Sequence, residues 1–115
     1  MMTEPTGFAE RLAQRKESAR RTLREVSTEE LRALGEQLFP DSTHPFAEPF
    51  SKFIDEHASE KAVRGETSDR VSFVYYPRAN RGIWYMLDDK GVSVGLLGTS
   101  AANALAELTA ETGHF

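Results

Sequence analysis

The spacing of apolar residues switches in mid-chain, and that switch limits the folds open to this protein. Up to His57, apolar side chains recur three and four apart, the period of a helix lying on a core. Over 71–76, 83–87 and 92–96 they form short runs rich in β-branched and aromatic residues. Val71, Phe73 and Tyr75 share one face, and Ile83, Tyr85 and Leu87 alternate with Trp84 and Met86, the composition and face pattern of strands. A helical period returns with Ala101, Ala104, Leu105 and Leu108. Helices, then strands, then a helix read as α+β. The expected architecture is an N-terminal three-helix segment, a three-stranded antiparallel β-meander and a C-terminal helix packed on the sheet.

At 115 residues the chain fits one domain. Its expected parts are a basic helical arm (1–26), a helical half (27–58), a linker (59–69) and the meander with its helix (70–113). Residues 1–26 carry six basic and four acidic side chains, whereas the whole chain has a formal charge of −4, so the arm differs electrically from the rest.

The spacing of Phe8, Leu12, Ala19, Leu23 and Val26 predicts a first helix over 6–26 with a narrow apolar stripe, broken by Arg15. Ser27-Thr28-Glu29-Glu30 is a capping box that opens a second helix with Leu31, Leu34 and Leu38 on one face. Pro40 ends it, because a proline pushes its predecessor out of the α region. Pro45 belongs to a loop, and the third helix starts near Glu48, with Phe46, Phe50, Phe53, Ile54 and His57 lining one face. The polar stretch 59–69 reads as linker. Strands follow over 70–76, 83–87 and 92–96, with Gly91 supplying the positive φ of a hairpin bulge and Gly113 capping the last helix.

Chemistry-bearing patterns are sparse. With no cysteine there are no disulfides, thiolate metal sites or cysteine nucleophiles. His57 on a phenylalanine-lined face reads as a packed core histidine, His44 before a proline as a turn cap, and His114 as part of a fraying end. Asp41, His44, Glu48 and His57 lack zinc-site spacing, so no metal is expected. Gly91, Gly95 and Gly98 precede a helix without the lysine of a phosphate loop, so no cofactor is expected either. The expectation is a non-enzymatic protein.

The densest binding composition is the 75–85 hairpin. Alternation predicts Tyr76 and Trp84 on the face opposite Tyr75 and Tyr85, with Arg78, Asn80 and Arg81 at the turn. Exposed Trp, Tyr and Arg together make a partner surface, so Tyr76, Arg78, Asn80, Arg81 and Trp84 are the candidate contacts. The competing expectation packs Trp84 beneath the helices. Phe8, Leu12, Arg15 and Leu23 are the candidate contacts of the first helix, toward a protein partner or a second copy. The alternative is a nucleic-acid-binding regulator that joins this hairpin to Arg15, Lys16, Arg20 and Arg21, against which the net acidic charge argues. The absence of a signal-peptide pattern and of a spanning apolar run predicts a cytoplasmic protein without membrane contact.

Overall fold

The computed structural model describes residues 16–41, 43–67 and 71–113. Among them are four helices and one five-stranded antiparallel sheet in an α+β fold. The elements run α1 (Lys16–Thr22), β1 (Arg24–Val26), α2 (Thr28–Leu38), α3 (Ala47–Glu56), β2 (Ala62–Glu66), β3 (Val71–Tyr76), β4 (Arg81–Asp88), β5 (Gly91–Leu96) and α4 (Thr99–Thr112). Strand order follows chain order, β1-β2-β3-β4-β5.

Two strands were not expected. The first helix stops at Thr22, whose hydroxyl donates back to the Ser18 carbonyl (2.9 Å) and accepts from the Glu66 amide (2.9 Å). Leu23 turns the chain, and Val26, expected on the helix, lies in β1 opposite Ala62. The stretch 59–69, expected as a linker, contains β2, an interior strand paired with β1 and β3. Its polarity misleads because only Ala62 and Val63 carry its apolar burial, at 1% and 0% exposure. Gly65 is small because a Cβ there would stand 2.7 Å from the Phe73 ring.

The sheet has a core on each face. On one, Ala19 and Leu23 from the α1 end and Ala101, Ala102, Leu105 and Leu108 of α4 meet Val63, Val71, Phe73, Tyr75 and Trp84. On the other, Leu31 and Leu34 of α2 and Phe50, Phe53 and Ile54 of α3 meet Val74, Tyr76, Ile83 and Tyr85. Phe46, expected on the buried face of α3, is exposed at that helix's N-cap.

Alternation assigns the faces within each strand, but the turn decides how strands match. Residues 77–80 form a four-residue turn that sets Tyr76 opposite Arg81 and Phe73 opposite Trp84. Trp84 therefore shares its face with Tyr75, and Tyr85 shares the other with Tyr76, which corrects the expected grouping. Gly91 has the expected positive φ (119°), yet pairing stays one-to-one through Asp88↔Gly91 and Leu87↔Val92, without a bulge.

The capping box at Ser27 forms as expected: Ser27 Oγ accepts from Glu30 N, and Glu30 Oε1 accepts from Ser27 N, both at 3.1 Å. The Ser27 amide, then Arg24, holds the Glu30 carboxyl below its ordinary pKa. Ser27→Ala is expected to cost about 1 kcal/mol in chemical denaturation, the usual worth of such a cap. An unchanged unfolding midpoint would show that tertiary packing alone sets this helix start.

Candidate protein interface

The 75–85 hairpin is built into the core. Trp84 is 1% exposed, over Gly95, where a Cβ would stand 2.6 Å from the indole Nε1. Tyr76 is 0% exposed. Neither ring faces a partner, which corrects the expected aromatic surface: a sheet with helices on both faces buries the aromatic residues of its interior strands on either side. Arg78 remains exposed. Asn80 takes a left-handed φ of 52° that asparagine tolerates, accepts from the Tyr75 hydroxyl and donates to Asn103 Oδ1 (3.2 Å), tying the turn to α4.

Arg81 sits over the Phe53 ring (5.2 Å), 3.9 Å from Glu56 and 3.4 Å from His57 Nε2. His57 is buried, stacks on Tyr76 at 4.6 Å and lies 2.7 Å by Nδ1 from Glu60 Oε2. The tautomer that satisfies all three groups has Nδ1–H donating to Glu60 and Nε2 accepting from Arg81. Burial, then the charges of Glu60 and Asp55, pushes the Tyr76 hydroxyl up to about 12. With both ring nitrogens engaged, His57 pins the end of α3 to β3 and β4, an extension of the core role expected for it.

His44 Nδ1 accepts from Phe46 N (3.1 Å), a local turn contact. No group of three metal-ligating side chains is placed to hold an ion among the described residues. Leu23 is buried in the core. Phe8, Leu12, Arg15 and His114 lie outside the described residues. Arg20 is bound by Glu17 (2.7 Å) and Glu111 (2.8 Å), while Arg21 is exposed.

The open surface lies one strand further along. Among the described residues the sheet has two edges of opposite character. β1 is three residues long and carries Arg24 and Glu25, paired with Glu30 (3.2 Å) and Lys61 (3.4 Å). Short, charged edges resist strand addition. β5 has six residues, Gly-Val-Ser-Val-Gly-Leu, with no charge and no proline.

The amide of Leu97 donates to the Gly82 carbonyl at 2.9 Å, which fixes the hydrogen-bonding phase of the β4–β5 ladder. By alternation, Gly91, Ser93 and Gly95 turn their backbone groups inward to β4, and Val92, Val94 and Leu96 turn theirs outward. The side chains of Val92 and Val94 lie on the α2–α3 face and are only partly buried there. Beyond them Leu87 and Leu96 are 56% and 60% exposed. An uncharged edge therefore adjoins an open apolar strip.

Sequence reasoning passed over β5 because aromatic content drew attention to the preceding hairpin. The available signal was position: the last strand of a meander is an edge, and this one lacks the charges that protect edges.

No protein family, curated protein or solved structure matches this chain. No helix among the described residues is long and apolar enough to cross a membrane.

Proposed function

We propose that this protein is a non-enzymatic interaction module of the cytoplasm that docks an extended segment on the β5 edge and the apolar strip beside it. One observation carries the reading. A six-residue, charge-free edge strand presents the outward backbone groups of Val92, Val94 and Leu96 next to exposed Leu87 and Leu96. Strand addition takes affinity from main-chain hydrogen bonds and specificity from alternate side chains, and β5 offers both. The nucleic-acid alternative has less behind it, since base stacking needs exposed rings and Tyr76 and Trp84 are buried.

The test places a photoreactive amino acid at Leu96 in producing cells, with the same group at Arg78 as the comparison. Protein adducts are expected at position 96, absent at position 78 and lost on adding Val94→Pro. Proline removes an outward N–H without touching the bonds to β4. Absence of adducts at position 96, or adducts made of nucleic acid, would overturn the proposal.

A further inference from the structure

We infer that a cleft at the β1 edge of the sheet binds the phosphoryl group of a small phosphate ester through Arg21, Arg24 and Arg64. The cleft lies across the sheet from β5 and is independent of the docking edge.

It forms where the end of α1 meets β1, β2 and β3, with a volume of about 420 Å³, within the range of small-molecule sites. Its walls bring Arg21, Arg24 and Arg64 together with Thr22, Glu66 and Ser72. The Thr22 hydroxyl is already committed to the backbone of Ser18 and Glu66. Three guanidiniums therefore share the cleft with one carboxylate, in a chain whose formal charge is −4.

Strand register makes this concentration of charge costly without an anion. Arg24 and Arg64 are directly opposed across β1 and β2. Opposed side chains on antiparallel strands share a face with their Cβ atoms about 5 Å apart, and like charges so placed repel. Arg24 is paired with Glu30 at 3.2 Å, an exposed carboxylate that also accepts from the Ser27 amide. Neither Arg21 nor Arg64 pairs with a carboxylate among the described residues. A dianion between the opposed guanidiniums turns that repulsion into attraction.

Arg64 is oriented in advance. It is half-buried on β2, its Nε donates to the buried Tyr85 hydroxyl at 2.8 Å, and its guanidinium carbon lies 5.8 Å from that ring's centroid. This holds the plane of the group and leaves both Nη groups for a ligand, a fork that matches two phosphate oxygens.

The surrounding carboxylates limit the ligand's size and charge. Glu66 in the cleft, with Glu25 and Glu30 beside it, repels a run of phosphates. A single phosphoryl group, with close to two negative charges at neutral pH, matches the three cations. Glu66 can then accept from a hydroxyl on the rest of the molecule, which favours a hydroxylated ester over inorganic phosphate.

Calorimetric titration of the full chain with glycerol 3-phosphate, in dilute phosphate-free buffer, is expected to show saturable one-to-one binding. Inorganic phosphate should bind more weakly, and acetate, with a single charge, more weakly still. Arg64→Gln should weaken the ester about 30-fold, the loss of charge-assisted hydrogen bonds. Arg21→Gln, at the exposed rim, should weaken it about fivefold. Arg64→Lys should recover only part of the loss, and Arg78→Gln, outside the cleft, should bind as the parent does. Arg21 lies on α1 away from the sheet ladder, so its variant tests the site even if Arg64→Gln disturbs the fold. A dissociation constant for the ester weaker than about 10 mM would overturn the site. So would Arg21→Gln and Arg64→Gln that both bind as tightly as the parent. Acetate bound as well as the ester would overturn phosphoryl recognition, and inorganic phosphate bound as well would overturn the ester. A single-stranded oligonucleotide bound more tightly than the ester would overturn the limit to one phosphoryl group.

Discussion

Replacing Trp84 with alanine is expected to cost about 4 kcal/mol, the range for deleting a buried aromatic side chain, and to lower the thermal midpoint by about 15 °C. The indole is enclosed: Phe73 is its partner in β3 and Gly95 its partner in β5, and residues of α1 and α4 belong to the same core. No neighbouring backbone can collapse far enough to refill that volume, so a cavity term adds to the lost transfer energy. Marginal stability makes such a loss a large share of the whole. Trp84→Phe should lose less, because the indole Nε1 makes no hydrogen bond among the described residues. The check is chemical denaturation of both variants. A Trp84→Ala protein as stable as the parent would mean that the ring is not core, and would reopen the hairpin as a partner surface.

Gly82→Ala is expected to be nearly as damaging, at about 3 kcal/mol of overpacking. A Cβ at residue 82 would lie 2.4 Å from the Val74 carbonyl oxygen, 2.7 Å from Leu97 Cδ1 and 3.1 Å from the Tyr75 Cα. Two of those atoms are backbone of the adjacent strand, so relief requires β3 and β4 to separate. Gly98→Ala is the control, because nothing lies within 4 Å of a Cβ there. The comparison is read in the same denaturation experiment. Equal midpoints for the two variants would show that the strands accommodate the methyl group and that Gly82 is not a packing requirement.

Both predictions depend on strand register, and there the limits of the sequence are plain. Tyr75 and Tyr76 must face opposite ways in any strand, and so must Trp84 and Tyr85. Nothing local says whether Tyr75 joins Trp84 or Tyr85. The four-residue turn decides that by setting Tyr76 opposite Arg81. β2 was hidden for a related reason. Its sequence, Ala-Val-Arg-Gly-Glu, has too few apolar residues to stand out, because neighbouring strands on both sides supply its backbone partners. β1 was hidden by three residues that continue the apolar spacing of the preceding helix.

What the sequence determined by itself is what neighbouring residues decide among themselves. The Ser27 capping box and Pro40 set the bounds of α2, Pro49 in the first turn sets the start of α3, and Gly113 in the left-handed region caps α4. Short β-branched and aromatic runs over 71–76, 83–87 and 92–96, bounded by turn residues, determined three of the strands, because such side chains fit a pleated surface. Only the tertiary structure decided which strand lies at the edge, which aromatic rings are enclosed and which apolar residues stay open. Those outcomes depend on partners far apart in the chain. Trp84 is core because α4 and Gly95 close over it, and Leu96 is exposed because α2 and α3 cover the sheet only as far as β4 and part of β5.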